Sequence, residues 1–291
     1  MANSFTLPKN YTTLLDEVYK KASVTADLLG DPAMVKEGVN VNEICYPQLS
    51  VSGLGDYDRN SGYSNGAVTL TWQTVQYNYD RGTKISVDAM DNQESFNIAF
   101  GKAGAELIRT KVAPEADAFT FATLAGLTGI SKATAATYSN ASDFLAALIT
   151  AVNTMDEDEV PEEERFLYAT PSLLNSVMAL DTTKSREVLA KFAKTQKVPQ
   201  SRFYTAIDMY DGKTSGEEAG HYVKASGGKD INFMIIHKPA IIKYDKHIAN
   251  DIIAPAQNPD SDSYILKYRK YGLVDAYKNK VAGIYLSHKA S

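Results

Sequence analysis

The sequence contains a single cysteine, Cys45, among its 291 residues. One cysteine excludes an intramolecular disulfide and any zinc site that needs several cysteines. The chain also lacks a basic excess, because 30 Lys and Arg stand against 35 Asp and Glu and the net charge is -5. Since sequence-specific nucleic-acid binding relies on positive charge at the phosphate backbone, this composition disfavours it.

Long apolar runs are also missing. The amino terminus has no apolar core of the kind that a signal peptide requires, and acidic residues begin at Asp16. The most apolar stretch, residues 231–244, is interrupted by His237, Lys238 and Pro239, so it falls short of the roughly 18 residues of a membrane-spanning helix. We therefore expect a globular protein that is made in the cytoplasm and has no membrane partner.

Tyrosine, in contrast, is abundant, with 18 copies against 10 Phe and one Trp. Its ring is apolar and its hydroxyl is polar, which suits surfaces that are half buried and half wet. The composition therefore favours a protein with large interfaces.

Apolar spacing predicts the first elements of the chain. A helix is expected over residues 11–29, capped by Asn10, because its apolar stripe recurs at spacings of three and four; the stripe is Tyr11, Leu15, Val18, Ala22, Thr25 and Leu29. The following residues, 37–84, are rich in strand and turn signals and predict a long two-stranded excursion.

The clearest strand of this excursion is AVTLTWQTVQYNY, residues 67–79. Its apolar residues lie first on one face and then on the other, namely Val68, Leu70 and Trp72, followed by Val75, Tyr77 and Tyr79. This change of parity predicts a bulge or twist near Gln73.

A long helix is predicted over about residues 91–113, where Asp91 and Glu94 form a start that resembles a capping box. Pro114 lacks the helical N–H donor, so we expect a kink or break near Lys111 to Pro114, with helix resuming toward Leu124. A second amphipathic helix is predicted from about Ser142 to Met155.

An acidic run follows the second helix, with seven Asp or Glu between residues 156 and 164. Its simplest interpretation is a solvated loop, and the alternatives are a site for a divalent cation or for a basic partner. A strand over RFLYA and a helix from Thr170 and Pro171 to Leu180 then indicate a mixed α/β region. The strand-like run 231–244 and a long alternating strand pair over 264–287 end the chain.

Three patterns resemble chemical motifs, and each also has a simpler interpretation. Residues Gly62 to Gly66 fit G-x-S-x-G around Ser64, but a hydrolase nucleophile needs a strand before the serine and a helix after it, whereas a strand follows here. We interpret Ser64 as part of a loop tip. A soluble hydrolase that pairs Ser64 with a histidine such as His237 stays an alternative.

The second and third patterns concern metals. Asp56, Asp58 and Asn60 match the first alternating ligands of a calcium loop, but Ser61 stands where that loop has Gly and Ala67 where it has Glu, which leaves at most a weak cation site. His237, with Asp245 and His247, has the side chains for a metal or an acid–base pair, but a partly buried, hydrogen-bonded histidine explains His237 more simply. We predict no catalytic residue, no metal and no cofactor.

The order of elements resembles the Hong Kong 97-type fold of major capsid proteins from tailed double-stranded DNA bacteriophages. The likeness also rests on four phrases, which are VAPEADAFTFATLAG after the long helix, VPQSRFYTA at 198–206, INFMIIHKPAIIK at 231–243 and YRKYGLVDAYKNKVAGIY at 268–285. It covers most of the chain, although none of the phrases is a chemical motif.

The resemblance implies an α+β fold with five parts. These are an amino-terminal arm over 1–36, an extended β-hairpin loop over 37–84, a peripheral domain with its spine helix over 85–138, an axial domain over 139–240 and a return to the peripheral domain over 241–291.

The resemblance also implies a structural, non-enzymatic function. Copies of the chain would assemble as pentamers and hexamers into an icosahedral virion shell, with a portal, a separate scaffolding protein or none, and packaged double-stranded DNA held without sequence specificity. Some relatives crosslink subunits through a lysine in the extended loop, but no lysine lies between Lys36 and Lys84, so we expect no such crosslink. An encapsulin-type nanocompartment shell is the alternative within the same fold.

Physical reasoning adds expectations about contacts. A two-stranded ribbon is marginal in water, so residues 37–84 should need a neighbouring subunit. The expected inter-subunit contacts are Arg59, Trp72, Tyr77 and Tyr79, because aromatic residues and arginine dominate buried interfaces. The acidic run of one copy is expected to meet the basic segment that starts at Tyr264 in another.

Overall fold

A computed structural model of the chain describes residues 23–30, 36–37, 42–94 and 98–290. The strands are β1 (Lys36–Glu37), β2 (Glu43–Val51), β3 (Val68–Gln76), β4 (Tyr79–Asp88), β5 (Ser131–Lys132), β6 (Arg165–Ala169), β7 (Lys194–Lys197), β8 (Ile207–Met209), β9 (Tyr222–Lys224), β10 (Ile231–His237), β11 (Ile241–Ile253), β12 (Ser263–Ala276) and β13 (Ile284–His288). The α-helices are α1 (Ala89–Glu94), α2 (Ile98–Leu107), α3 (Ala113–Gly126), α4 (Ala141–Glu157), α5 (Pro171–Leu180) and α6 (Thr183–Ala190).

The strands form four sheets, and the mixture with helices is the expected α+β class. A central five-stranded sheet has the order β5-β13-β10-β6-β7, and a three-stranded sheet has the order β11-β12-β4. Strands β1, β2 and β3 form a third sheet, and β8 and β9 form a short hairpin. Among the helices within the described ranges, none has the length and apolar character to cross a membrane.

Strand β10 is the centre of the core, because every one of its residues is buried. Its side chains alternate between two apolar clusters on opposite faces of the central sheet. Met234 and Ile236 belong to the cluster that contains residues of α3, and Phe233 and Ile235 belong to the cluster that contains residues of α4. A strand that is covered on both faces reads as a continuous apolar run, which explains INFMII in the sequence.

The long helix follows the prediction with a local difference at Pro114. A π-helical turn, Ile108–Val112, joins α2 to α3, and Pro114 lies in the first turn of α3. Because proline lacks the N–H and its ring clashes with the carbonyl four residues earlier, the wider turn accommodates it. The helix therefore continues to Gly126 without a break.

Two other predictions about elements are wrong in part. The helix expected to Leu29 does not extend over residues 23–30, where a short 3-10 helix, Ala26–Leu28, forms instead; residues 11–22 lie outside the described ranges. The run 231–244 contains two strands of different sheets, because a 3-10 turn at Lys238–Ala240 with Pro239 ends β10 before β11 begins.

The expected strand pair over 264–287 also differs. Strand β12 pairs with β11 and β4, whereas β13 pairs with β10 and β5. The 3-10 segment Lys278–Gly283 carries the chain from one sheet to the other. Period-two alternation identified the strands, but it does not indicate their partners.

Candidate assembly surface

Strands β2 and β3, with the turn between them, form a two-stranded antiparallel ribbon over residues 43–76. Its register is continuous from Glu43 opposite Gln76 to Val51 opposite Val68. Of the predicted bulge or twist near Gln73, the bulge is therefore wrong, and the change of apolar parity has another explanation.

The explanation is that the two ends of the ribbon use opposite faces. Near the base, Ile44 and Tyr46 are buried and pack with Ile242 and Leu273 of β11 and β12. Tyr46 also makes an edge-on ring contact with Tyr277, at 4.8 Å between centroids. This face is covered by the ribbon's own chain.

The outer part of the ribbon has its apolar residues on the other face. The cross-strand pairs there are Pro47 with Trp72, Leu49 with Leu70 and Val51 with Val68. All six side chains are exposed, and Trp72 and Leu70 are each 56% exposed. We call these six residues the outer apolar face. Exposed apolar side chains that are contiguous on one face mark an interaction site more often than scattered ones do.

The ribbon leaves the three-stranded sheet at Asn78. Its side-chain Nδ2 donates to the carbonyl of Val274 at 2.8 Å, and Oδ1 accepts from the Val274 N–H at 3.1 Å. The last backbone pair between β4 and β12 is Tyr79 with Gly272. The Asn78 amide thus replaces a strand as partner of β12, and the backbone is free to turn into the ribbon.

An ion pair fixes the strand that follows the ribbon. Arg81 Nε donates to Glu115 Oε1 of α3 at 2.7 Å, and its Nη2 donates to the carbonyl of Tyr210 at 2.7 Å. Tyr79 OH also donates to Glu115 at 3.3 Å. Burial, followed by the charge of Glu115, raises the pKa of Tyr79. Strand β4, helix α3 and the β8–β9 hairpin are joined at this point.

The four expected contact residues differ in their burial within the single chain. Tyr79 is only 4% exposed and packs on Phe119, so its placement at an inter-subunit contact is wrong: it belongs to the chain's own interior. Tyr77 is half-buried beside Tyr271, at 4.8 Å between ring centroids. Arg59 and Trp72 are exposed on the ribbon and stay candidates.

A buried polar cluster holds residues 23–25 against the long helix. Asp117, which is fully buried, accepts hydrogen bonds from Ser23 Oγ at 2.7 Å, from the N–H groups of Val24 and Thr25 at 3.0 and 3.1 Å and from Thr25 Oγ1 at 2.7 Å. Arg202 Nη1 donates to the same carboxylate at 2.9 Å. These bonds use up helix-forming N–H groups of residues 24 and 25, which is why no α-helix extends here.

Lys243 completes the cluster from β11. Its Nζ donates to the Thr25 carbonyl at 2.9 Å and to Thr25 Oγ1 at 2.7 Å. The sequence interpretation missed Asp117, Arg202 and Lys243. A signal was present, because Asp117 and Lys243 each have apolar residues on both sides in the chain, where a charge needs a buried partner.

We expect Lys243 to make unfolding depend on pH. Burial lowers its pKa to about 8, so between pH 8 and the unfolded value near 10.5 the unfolded chain holds more protons, and stability rises with pH. From pH 7.5 to 9.5 the contribution of Lys243 should grow by about 2 kcal/mol. Urea unfolding of wild type and Lys243→Met at both pH values measures this contribution. Both proteins contain the same tyrosines, so the pH dependence that tyrosines add cancels in the comparison. An equal pH dependence of the free energy of unfolding in the two proteins would contradict the assignment to Lys243.

The acidic run covers the end of α4 and the loop that follows it, and a buried arginine lies beside them. Arg165, only 1% exposed, donates to Asp156 Oδ1 at 2.7 Å, to the Pro161 carbonyl at 2.8 Å and to the Val160 carbonyl. The seven carboxylates remain exposed. The expected basic counterpart is partly occupied within its own chain, because Arg269, Lys270 and Lys289 already form ion pairs with Asp80, Asp245 and Asp230.

Ser64 and His237, the residues of the possible hydrolase site, do not have the arrangement that a hydrolase needs. Ser64 is exposed in the turn of the ribbon, and β3 follows it where a hydrolase has a helix. His237 ends β10 in the central sheet, and burial lowers its pKa. The structure does not bring the two residues into contact.

In the calcium-like pattern, the Asp58 carboxylate bonds to backbone N–H groups of its own turn. Asp58 Oδ1 accepts from the N–H groups of Asn60 and Ser61 at 2.6 and 3.1 Å, and these bonds lower the pKa of Asp58. Within the ranges that the structure describes, no group of three or more His, Cys, Asp or Glu is placed to hold a metal ion. Asp58 and Asn60 thus belong to a hydrogen-bonded turn, and Asp56 precedes it.

Comparisons with known proteins give one kind of match. No protein-family model and no curated protein matches the chain. A solved chain of Mycobacterium phage Che8 superposes with a TM-score of 0.61 at 14% identity and covers 98% of both chains. The capsid structure of Cyanophage P-SCSP1u gives 0.62 at 12% identity, over 98% of this chain and 93% of that one.

A virus-like particle from Pyrococcus furiosus is also similar, with a TM-score of 0.52 at 9% identity, over 82% of this chain and 86% of that one. At such identities the comparisons establish the fold alone. The likeness to the phage chains extends over nearly the whole length of both partners, and it agrees with the order of elements found above. The chain has the Hong Kong 97-type fold of phage capsid proteins.

Proposed function

We propose that this chain is the major capsid protein of a tailed double-stranded DNA phage. Copies of it would assemble as pentamers and hexamers into the icosahedral shell of the virion. The observation that carries the proposal is the outer apolar face of the ribbon, six exposed side chains on a fold that solved phage capsid chains share. A two-stranded ribbon with such a face is stable only when a neighbouring surface covers it.

The proposed partners are those that a phage shell requires. They are other copies of the chain, a portal, a separate scaffolding protein and packaged double-stranded DNA. The net charge of -5 supports a shell that encloses DNA without binding it tightly, because each contact with a phosphate needs a positively charged side chain. Trp72 and Arg59 are the proposed inter-subunit contacts on the ribbon, with Tyr77 at its base.

The proposed function is structural, without catalysis. The setting of Ser64 in an exposed turn before a strand supports this, as does the use of Asp58 by its own turn. The absence of lysine between Lys36 and Lys84 supports a shell whose ribbons are held by packing and not by lysine crosslinks.

A second function within the same fold is a nanocompartment that encloses protein. The observation in its favour is the likeness to the virus-like particle from Pyrococcus furiosus. That likeness covers less of both chains than the matches to the phage chains do, so we favour the phage shell.

Negative-stain electron microscopy of the purified protein, alone and with co-expressed neighbouring genes, tests the proposal. We expect closed shells or regular sheets of hexamers. A field of monomers or small dimers under every condition would overturn it and favour an enzyme that uses Ser64, which Ser64→Ala would then inactivate. Nuclease-protected DNA within shells would distinguish a phage capsid from a compartment whose content is protein.

A further inference from the structure

The turn of the ribbon contains an asparagine followed directly by a glycine, Asn65–Gly66, and no other asparagine in the sequence precedes a glycine. Both residues are exposed and lie outside the strands, just before β3 begins at Val68. The backbone nitrogen that follows an asparagine is able to attack the side-chain amide, and glycine hinders this attack least because it has no Cβ. The pair therefore combines a reactive sequence with full access to water.

Contacts hold the chain on both sides of the pair. Before it, Ser64 lies against Gly55, because a Cβ at Gly55 would come within 2.9 Å of the Ser64 Cβ. After it, the Ala67 N–H donates to Ser52 Oγ at 2.8 Å, and the Ala67 carbonyl accepts from the Ser52 N–H at 2.9 Å. Within the part of the chain that the structure describes, neither the asparagine side chain nor the glycine N–H forms a hydrogen bond. The attacking nitrogen and the attacked amide are thus both accessible.

Two other asparagines close to this pair in the sequence are held by hydrogen bonds. The nitrogen that would attack Asn60 belongs to Ser61, and its N–H donates to Asp58 Oδ1 at 3.1 Å. The Asn78 side chain bonds to the backbone of Val274 through Nδ2 and Oδ1, at 2.8 and 3.1 Å. Each of these bonds has to break before its asparagine reacts. The fold therefore protects these two asparagines and leaves Asn65 exposed.

We infer that Asn65 is a site of spontaneous deamidation. Hydroxide removes the N–H proton of Gly66, the nitrogen forms a bond to Asn65 Cγ, and the bond from Cγ to Nδ2 breaks. Nδ2 takes a proton from water and leaves as ammonia, and the product is a cyclic imide. Water then opens the imide at either carbonyl and yields aspartate or iso-aspartate. The net reaction consumes one water and releases one ammonia, so it needs no oxidant, metal or enzyme.

The iso-aspartate product changes the closed end of the ribbon. Its backbone runs through the former side-chain carbon and is therefore longer by one atom. The contacts on both sides of the pair fix the distance that the longer backbone has to span, and the exposed bonds between Ser52 and Ala67 are the ones that yield most easily. Conversion should thus open this end of the ribbon and add a negative charge near Asp56 and Asp58.

Peptide mass spectrometry of aged full-length protein tests the site. Trypsin cleaves after Arg59 and Arg81, so a single peptide, residues 60–81, carries Asn60, Asn65 and Asn78. The folded protein is kept at mildly alkaline pH before digestion, and electron-transfer fragmentation then locates each new carboxylate and identifies iso-aspartate. Asn65 should convert about tenfold faster than either of the other two. Equal conversion at the three positions would overturn the inference.

The same incubation in urea separates the effect of the fold from that of the local sequence. Unfolding removes the bonds at Asn60 and Asn78, so these two should convert faster in urea. The rate at Asn65 should change by less than about threefold, because the fold does not protect it. A larger slowing of Asn65 in the folded protein would show that the pair is protected, and it would overturn the inference.

Gly66→Ala is the matched variant. A Cβ at this position would lie 3.0 Å from Ser52 Oγ, which is the end of a side chain that can move aside. The added methyl group hinders the attacking nitrogen, so conversion of Asn65 should become about tenfold slower. An unchanged rate would contradict attack by the Gly66 nitrogen.

Hydrogen exchange measures the effect on the ribbon. Ion-exchange chromatography separates converted from unconverted wild-type chains, and the amides of Ser52 and Ala67 should exchange faster in the iso-aspartate form. Unchanged exchange at both amides would contradict the opening of this end. All of these measurements use the unassembled chain, so their outcome does not depend on whether the protein forms a shell.

Discussion

Replacing Leu49 and Leu70 together with Asp should abolish assembly while leaving the unassembled chain folded. The two leucines face each other on the outer apolar face and are 59% and 56% exposed in the single chain. Covering two leucines stabilises a contact by about 3 kcal/mol or more, and burying two carboxylates without partners adds a larger cost. The loss recurs at every ribbon of a shell, so no closed particles should form.

The matched control is Ser50→Asp with Thr69→Asp. These residues form the adjacent cross-strand pair on the opposite face, and both are exposed, so the change of charge and the like-charge pairing are the same. We expect this control to assemble. Trp72, the only tryptophan, reports on the ribbon directly: its emission should shift to shorter wavelength when wild type assembles and stay unchanged in the Leu variant. Normal shells from the Leu variant, or failure of both variants, would contradict the assignment of the face.

Asp117→Asn should destabilise the folded chain by about 3 to 5 kcal/mol, because it removes the negative charge from a buried ion pair with Arg202. Arg202 and Asp117 are 2% and 0% exposed, so water does not replace the lost interaction. The amide also cannot accept all five hydrogen bonds that the carboxylate accepts. Urea unfolding of the unassembled protein measures the loss.

Asp80→Asn is the control for Asp117. Asp80 also accepts from an arginine, with Arg269 at 2.9 and 2.7 Å, but both side chains are exposed. Surface ion pairs contribute little, so the midpoint of unfolding should stay near wild type. Amide exchange should separate the two variants further, with faster exchange of residues 24 and 25 in Asp117→Asn alone. Equal midpoints for the two variants would show that the buried cluster does not hold the arm.

Local patterns in the sequence predicted elements well where each depends on its own residues. Helix α4 begins after Asn140, whose side chain accepts from the Asp143 N–H, and it covers the predicted stripe from Phe144 to Met155. Strand β6 and helix α5 also form where RFLYA and Thr170–Pro171 predicted them. Propensity, caps and periodicity act over a few residues, so they can be read without a partner.

The ribbon shows a feature that local patterns do not predict, namely which face of a strand is covered at each end. Its apolar parity changes between Trp72 and Val75, and a bulge was a reasonable local explanation. The continuous register shows instead that the base is covered by β11 and β12 and the outer part faces away. Only long-range packing distinguishes a kinked strand from a straight one whose two ends are covered on different sides.

The α+β class, most elements in their order, the two-stranded ribbon and the lack of any intramolecular disulfide could be inferred from the sequence alone. The tertiary structure decided which sheet each closing strand joins, that Tyr79 belongs to the interior and that Asp117 unites Ser23, Thr25 and Arg202. The physical reason is distance along the chain: Asp117 lies more than 80 residues from each of these partners, and nothing in local periodicity indicates which distant charges will share one buried site.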